Sequence, residues 1–215
     1  MNKIIYIGVA LILVGLVSFA LIFNGSPSVR YVNTSISASV YACYSGEGDF
    51  SCPPEVNVTI IEVADFQCPY CGSDEPIVWN ILKEYAGKVR LGFINFPLPE
   101  HQYSEKAAEA FECAVDQGKE WRLYSLMFQN QGDLSVSSLK SYAVQAGLNS
   151  TLFNNCLDSG VKAGVVQQQF NEGVRLGVRG TPTFFINNQM LEGYQSQSSF
   201  ENIINRVLNQ ASNSS

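Results

Sequence analysis

The sequence predicts an α/β domain interrupted by an all-helical insertion and preceded by one transmembrane helix. Three observations carry that prediction. Residues 58–63, Val-Thr-Ile-Ile-Glu-Val, form a short β-branched apolar run with a helical stretch opening soon after it. From Ser104 to Gly177 the apolar residues recur at helical spacing, without an intervening strand pattern. Residues 183–193 then read as a hairpin and are followed by one more helical stripe.

The chain opens with residues 4–23, twenty positions without a charge. At about 1.5 Å rise per residue, such a helix spans about 30 Å, the thickness of a bilayer core. A cleavable signal peptide has a shorter apolar stretch and then a small-x-small site, whereas residues 19–23 run on apolar to the end, so an uncleaved anchor over residues 1–23 is favoured over a cleaved signal peptide. The alternative is secretion after signal cleavage. Lys3 and the amino terminus are expected on the cytoplasmic side, leaving the rest outside.

Residues 24–55 are polar, rich in Ser and Gly, and contain Pro27, Pro53 and Pro54. They read as a tether and lead-in, with weak alternation over residues 36–41 suggesting an edge strand. Cys43 and Cys52 flank a turn-rich loop. The leading reading is a structural disulfide, contributing at most about 3 kcal/mol through loop closure. A second redox pair relaying electrons to Cys68, a four-cysteine zinc site with Cys68 and Cys71, and free thiols stay open behind it. The long gap fits a zinc knuckle poorly.

Residues 56–100 form the first half of the α/β domain. After the strand comes Cys68-Pro69-Tyr70-Cys71, and then helix to about Ala86, with Pro76 placed to kink it. Two cysteines three apart at a helix start lie one turn from each other. Cys68 sits where unpaired N–H groups and the positive dipole end favour a thiolate, and Pro69 fits the first turn because no acceptor waits for its N–H. This pattern describes a thiol–disulfide exchange centre. Cys68, the first of the pair and the more exposed, is the expected nucleophile, and Cys71 the buried resolving thiol. Glu62 shares a strand face with Val58 and Ile60, so desolvation should raise its pKa and suit it to carrying protons. Asp65 is expected to cap the helix or face solvent. A second core strand covers residues 88–96 and is ended by Pro97 and Pro99.

The insertion, residues 101–177, reads as five helices. Their apolar marks are Ala107 to Val115, Trp121 to Phe128, Leu139 to Ala146, Leu152 to Leu157, and Val166, Phe170 and Val174. Residues 178–209 return to the α/β domain. Pro182 stands directly before an apolar strand, Asn187-Asn188 marks a tight turn, and Phe200, Ile203, Ile204, Val207 and Leu208 give a helical stripe. Residues 210–215 are a polar tail.

Net charge is −6, with no basic run or stripe, which argues against nucleic acid as a partner. Six cysteines are many for a reducing compartment. The single histidine, His101, has no neighbouring ligand-type partner in sequence and is expected in surface or loop packing. No cofactor and no metal site is expected.

At the CxxC segment, at residues 178–186 (Val-Arg-Gly-Thr-Pro-Thr-Phe-Phe-Ile), and over roughly residues 56–208 as a whole, the sequence resembles the thioredoxin superfamily. It is most similar to DsbA-like thiol–disulfide oxidoreductases with a helical insertion. The resemblance implies a thioredoxin fold interrupted after its second core strand. It implies a cis Thr181–Pro182 bond beside the active-site pair, presenting Thr181 backbone to an extended substrate segment. It also implies a buried acid at Glu62 and a Cys113–Cys156 disulfide stapling the insertion. Pro69 and Tyr70 are expected to meet substrate, and they depart from the Pro-His dipeptide of the strongly oxidising members. The implied activity is extracytoplasmic oxidation of reduced or misfolded secreted proteins, with a membrane or soluble redox partner that restores the disulfide. The alternatives are a reductase or isomerase on the same site, or a CxxC module holding copper or zinc.

Overall fold

The computed structural model describes residues 29–31, 36–38, 40–46 and 50–212. The expected span at residues 4–23 lies outside the described residues. Among the described residues no helix is long and apolar enough to cross a membrane.

Two short strands, β1 (Arg30–Tyr31) and β2 (Tyr41–Ala42), come first, followed by β3 (Val58–Ala64), α1 (Pro69–Glu84) and β4 (Val89–Asn95). Five helices form the insertion: α2 (Ser104–Val115), α3 (Glu120–Gln129), α4 (Val136–Gln145), α5 (Ser150–Ser159) and α6 (Ala163–Arg175). The chain returns through β5 (Thr183–Ile186) and β6 (Gln189–Glu192) to α7 (Gln197–Ser212). The six strands form one sheet in the order β1-β6-β5-β3-β4-β2. β3 pairs parallel with β4 and antiparallel with β5. α1 is a single helix running through Pro76.

Strand alternation sorts the core. Val58, Ile60 and Ala64 join a cluster with α1, α7 and the insertion, while Ile61 and Val63 join Ile94, Phe96, Phe185 and Met190 on the opposite face. Glu62 has the parity of the first set and is fully buried. The tight turn after β5 is supplied by Asn187, at φ 52°.

Two expectations need correction. Residues 36–38 do not continue an edge strand, and the pairing is confined to Tyr41 and Ala42 against Leu91 and Gly92. Ile36 and Ala38 instead pack on the outer sheet cluster, and a Cβ at Gly92 would meet the Ala38 methyl at 2.6 Å. In α6 the buried positions are Val166 and Gly173, and Val174 is exposed. Gly173 lets Phe96 lie against the helix backbone, since a Cβ there would sit 2.5 Å from the Phe96 ring.

Candidate active site

The site is built where β3 hands over to α1. Phe66, in the connecting turn, is 1 % exposed and meets Phe93, Phe111, Tyr124 and Phe128 with ring centroids 4.9 to 5.9 Å apart. A fully buried Phe stabilises by about 1.5–3 kcal/mol, so the turn is anchored from both the sheet and the insertion. The Cys68 N–H donates to the Asp65 carbonyl at 3.0 Å, and the Gly72 N–H donates to the Cys68 carbonyl at 3.2 Å. Cys68 is the N-cap of α1, with no side-chain cap bond, and Pro69 takes the first turn.

Cys68 and Cys71 are both free thiols. Cys68 is 4 % exposed and Cys71 0 %, so the expected ordering holds although both are buried. The Cys71 thiol hydrogen-bonds Cys68, and the Thr181 side chain and then backbone bonds from Cys71 and Tyr70 add to it. Together they outweigh burial and push the Cys68 thiol down to about 5. Burial, with the Cys68 sulfur beside it, holds the Cys71 thiol well above the ordinary range.

Across from the pair, the Thr181–Pro182 bond is cis. The Cys68 sulfur lies 3.4 Å from the Thr181 carbonyl oxygen, to which it donates only while protonated. Pro182 is buried and Thr181 half-buried. The Gly193 N–H donates to the Pro182 carbonyl at 2.8 Å, tying this loop to the end of β6. On the open side, Pro69 is exposed and Tyr70 is 65 % exposed.

Beneath the sulfurs lie three buried acids. Burial raises Glu62 to about 8; its Oε2 accepts from the Tyr124 hydroxyl at 2.6 Å, and its Oε1 finds no protein partner among the described residues. Asp74 is raised to about 7 by burial, with the Cys68 charge adding to it. Its Oδ1 accepts the Gln195 N–H at 3.2 Å, and its buried Oδ2 finds no protein partner among the described residues. Glu75, also raised by burial, accepts from Trp79 Nε1 and Ser125 Oγ, each at 2.8 Å.

Asp65 neither caps α1 nor faces solvent. Its buried carboxylate accepts the backbone N–H groups of Gln67 at 2.7 Å and Leu98 at 2.8 Å, and meets His101 Nδ1 at 2.7 Å. His101 thus packs in the loop after β4 and bonds the active-site turn. Tyr124, Asp74, Glu75 and Gln131 also belong to the site and carry no local sequence motif, because their partners lie in other elements. The acids at 74 and 75 share the buried side of α1 with Cys71, Val78, Ile81 and Leu82, and two acids among apolar positions are a readable signal.

The remaining cysteines are paired. Cys113 and Cys156 join α2 to α5 with Cα atoms 5.9 Å apart. Cys43 and Cys52 close their loop at 4.9 Å, and Phe50 in that loop lies 5.2 Å from the Trp79 ring. Their sulfurs are bonded to each other, so a four-cysteine metal site with Cys68 and Cys71 is not formed.

A CxxC pair at a helix start, facing a cis-proline loop on a mixed sheet, defines the thioredoxin-like class. The chain belongs to the thioredoxin family, whose model matches residues 53–206, and its fold is that of the DsbA-like branch with a helical insertion. The crystal structure of oxidised BdbD from Bacillus subtilis superposes with a TM-score of 0.66 at 21% identity, over 74% of this chain and 91% of that one. A thioredoxin-like oxidoreductase from Silicibacter pomeroyi DSS-3 gives 0.65 at 24% identity, over 73% and 89%. At these identities the likeness establishes the fold. Among curated sequences, Na(+)/H(+) antiporter NhaA 3 of Salinispora tropica is 38% identical over 142 residues, which is 66% of this chain and 22% of that protein. The chain therefore spans about a fifth of the length of that relative, whose name describes the whole protein.

Proposed function

We propose that this protein is a thiol–disulfide oxidoreductase that introduces disulfides into extracytoplasmic proteins through Cys68 and Cys71. The observation that carries the direction is the unequal treatment of the two sulfurs, with the Cys68 thiol near 5 and Cys71 well above the ordinary range. A stabilised Cys68 thiolate favours the reduced form of the pair, which makes its disulfide a strong oxidant.

In the forward reaction a client thiolate attacks the Cys68 sulfur of the disulfide. The Cys68–Cys71 bond breaks, a client–Cys68 bond forms, and the electron pair leaves on Cys71. Glu62, neutral below about 8, supplies the proton that the buried Cys71 sulfur needs. A second client thiolate then attacks the client sulfur of the mixed disulfide, and Cys68 departs as thiolate. The client has lost two electrons and gained a disulfide, while the enzyme holds a dithiol. A separate oxidant, of the kind that restores DsbA-like proteins, must accept those electrons. Thr181 would bind the client main chain by strand addition, with Pro69 and Tyr70 at the rim.

The uncharged run at residues 4–23 and the Cys43–Cys52 and Cys113–Cys156 disulfides support an anchored, extracytoplasmic location. The reduction potential of the Cys68–Cys71 pair tests the direction. A value well above the roughly −270 mV of thioredoxin fits an oxidase. A value at or below it assigns the site to reduction. Trapping with Cys71→Ala in cells should yield mixed disulfides with secreted proteins, and their absence would count against the client class.

A further inference from the structure

The active-site turn is held by a side chain from the insertion. Gln131 lies between α3 and α4, and its Nε2 donates to the Phe66 carbonyl at 2.8 Å and to the Cys68 carbonyl at 2.8 Å. Two carbonyl acceptors require the nitrogen to face them, which leaves Oε1 over the first turn of α1. There it lies against Gly72. A Cβ at position 72 would overlap the Gln131 amide, so the residue after Cys71 has no room for a side chain while Gln131 is in place.

We propose that Gln131 is a positioning residue of the exchange site, pinning the strand-to-helix turn so that backbone amides stay aimed at the Cys68 sulfur, and that Gly72 is glycine to admit it. The two bonded carbonyls bracket the turn. Phe66 is fixed below by its ring contacts, and the Cys68 carbonyl is also the first acceptor of the helix, taking the Gly72 N–H. Clamping both holds the start of the helix whose Tyr70 and Cys71 backbone groups bond the Cys68 sulfur. The insertion thereby acts on the redox centre through a group that bonds the backbone of the turn rather than a sulfur. The inference rests on the thiol-exchange reading of Cys68, but not on the direction of catalysis or on the client.

The test uses the reduced full chain, with the Cys68 thiolate followed by its ultraviolet absorbance as pH is varied. Gln131→Met keeps the length of the side chain and removes the donor. Its titration midpoint should move up by about one pH unit, a roughly tenfold loss of thiolate below the midpoint. The glutathione equilibrium should shift toward the disulfide by a similar factor. Gly72→Ala, which dislodges the amide without removing it, should move the midpoint in the same direction. In a Gln131→Ala background the added methyl should change nothing further. An unmoved midpoint in folded Gln131→Met would overturn the proposal, as would full additivity of Gly72→Ala with Gln131→Ala. Titration needs no client, so an inactive oxidase would leave this result readable, and an unmoved midpoint would leave the exchange chemistry standing.

Discussion

The Cys68 sulfur and the Thr181 carbonyl oxygen are 3.4 Å apart, across the gap between the helix start and the cis-proline loop. On the proposed function, a client segment joined to Cys68 runs beside Thr181, within reach of its main chain. N-methylation of the client backbone next to the reacting cysteine should weaken kcat/KM by about fivefold, the size of one lost hydrogen bond of about 1 kcal/mol. Changing the neighbouring client side chain should matter less. Kinetics on a short peptide series checks this, and a dominant side-chain effect would argue against strand addition.

Glu62 is neutral in the fold up to about 8, against 4.5 for the free side chain. Between those values the folded protein holds a proton that the unfolded chain has released, so this group lowers stability as pH rises through the window. Glu62→Gln should remove that decline, as read by denaturant unfolding at several pH values. The same substitution withholds the proton from Cys71 and should slow its departure by about 10²-fold. Stopped-flow reduction of the disulfide measures that step.

Asp74 feels the Cys68 charge and reaches about 7. When ionised it opposes the Cys68 thiolate, disfavours the reduced pair and lowers the reduction potential. Asp74→Asn should therefore raise the potential above pH 7 and leave it unchanged near pH 5, where the carboxyl is already protonated. A potential–pH series on both proteins decides. An equal change at both ends would mean a structural effect instead.

The Cys113–Cys156 bond joins residues 43 apart in sequence. Replacing both cysteines with Ala should lower stability by about 3–4 kcal/mol on the chain-entropy account. Thiolate titration at Cys68 should stay where it was, because the bond lies in the insertion between α2 and α5. A moved midpoint would show that the staple also shapes the site.

The α/β halves are legible in the sequence because burial on one face imposes a period. Val58 and Ile60 mark the inner face of β3, and Phe200, Ile203 and Ile204 the inner stripe of α7. β1 carries no such mark, being two exposed residues held by pairing with Gln189 and Met190. Val174 misleads because its neighbour Gly173 makes the contact with Phe96. At the site, Cys68 and Cys71 are local to one turn, and Glu62 follows from strand parity. The rest depends on partners far along the chain. Asp65 meets His101 36 residues away, Glu62 meets Tyr124 at 62, Cys68 meets Gln131 at 63, and Asp74 meets Gln195 at 121. No spacing rule reaches that far.

The rate at which iodoacetamide alkylates Cys68 in the reduced protein, followed across pH, tests the account most directly. A helix start and neighbouring donors that hold the sulfur ionised predict a midpoint of about 5. A midpoint near the free-thiol value of about 8.5 would contradict it, because neither the assigned nucleophile nor the oxidising direction would then have a physical basis.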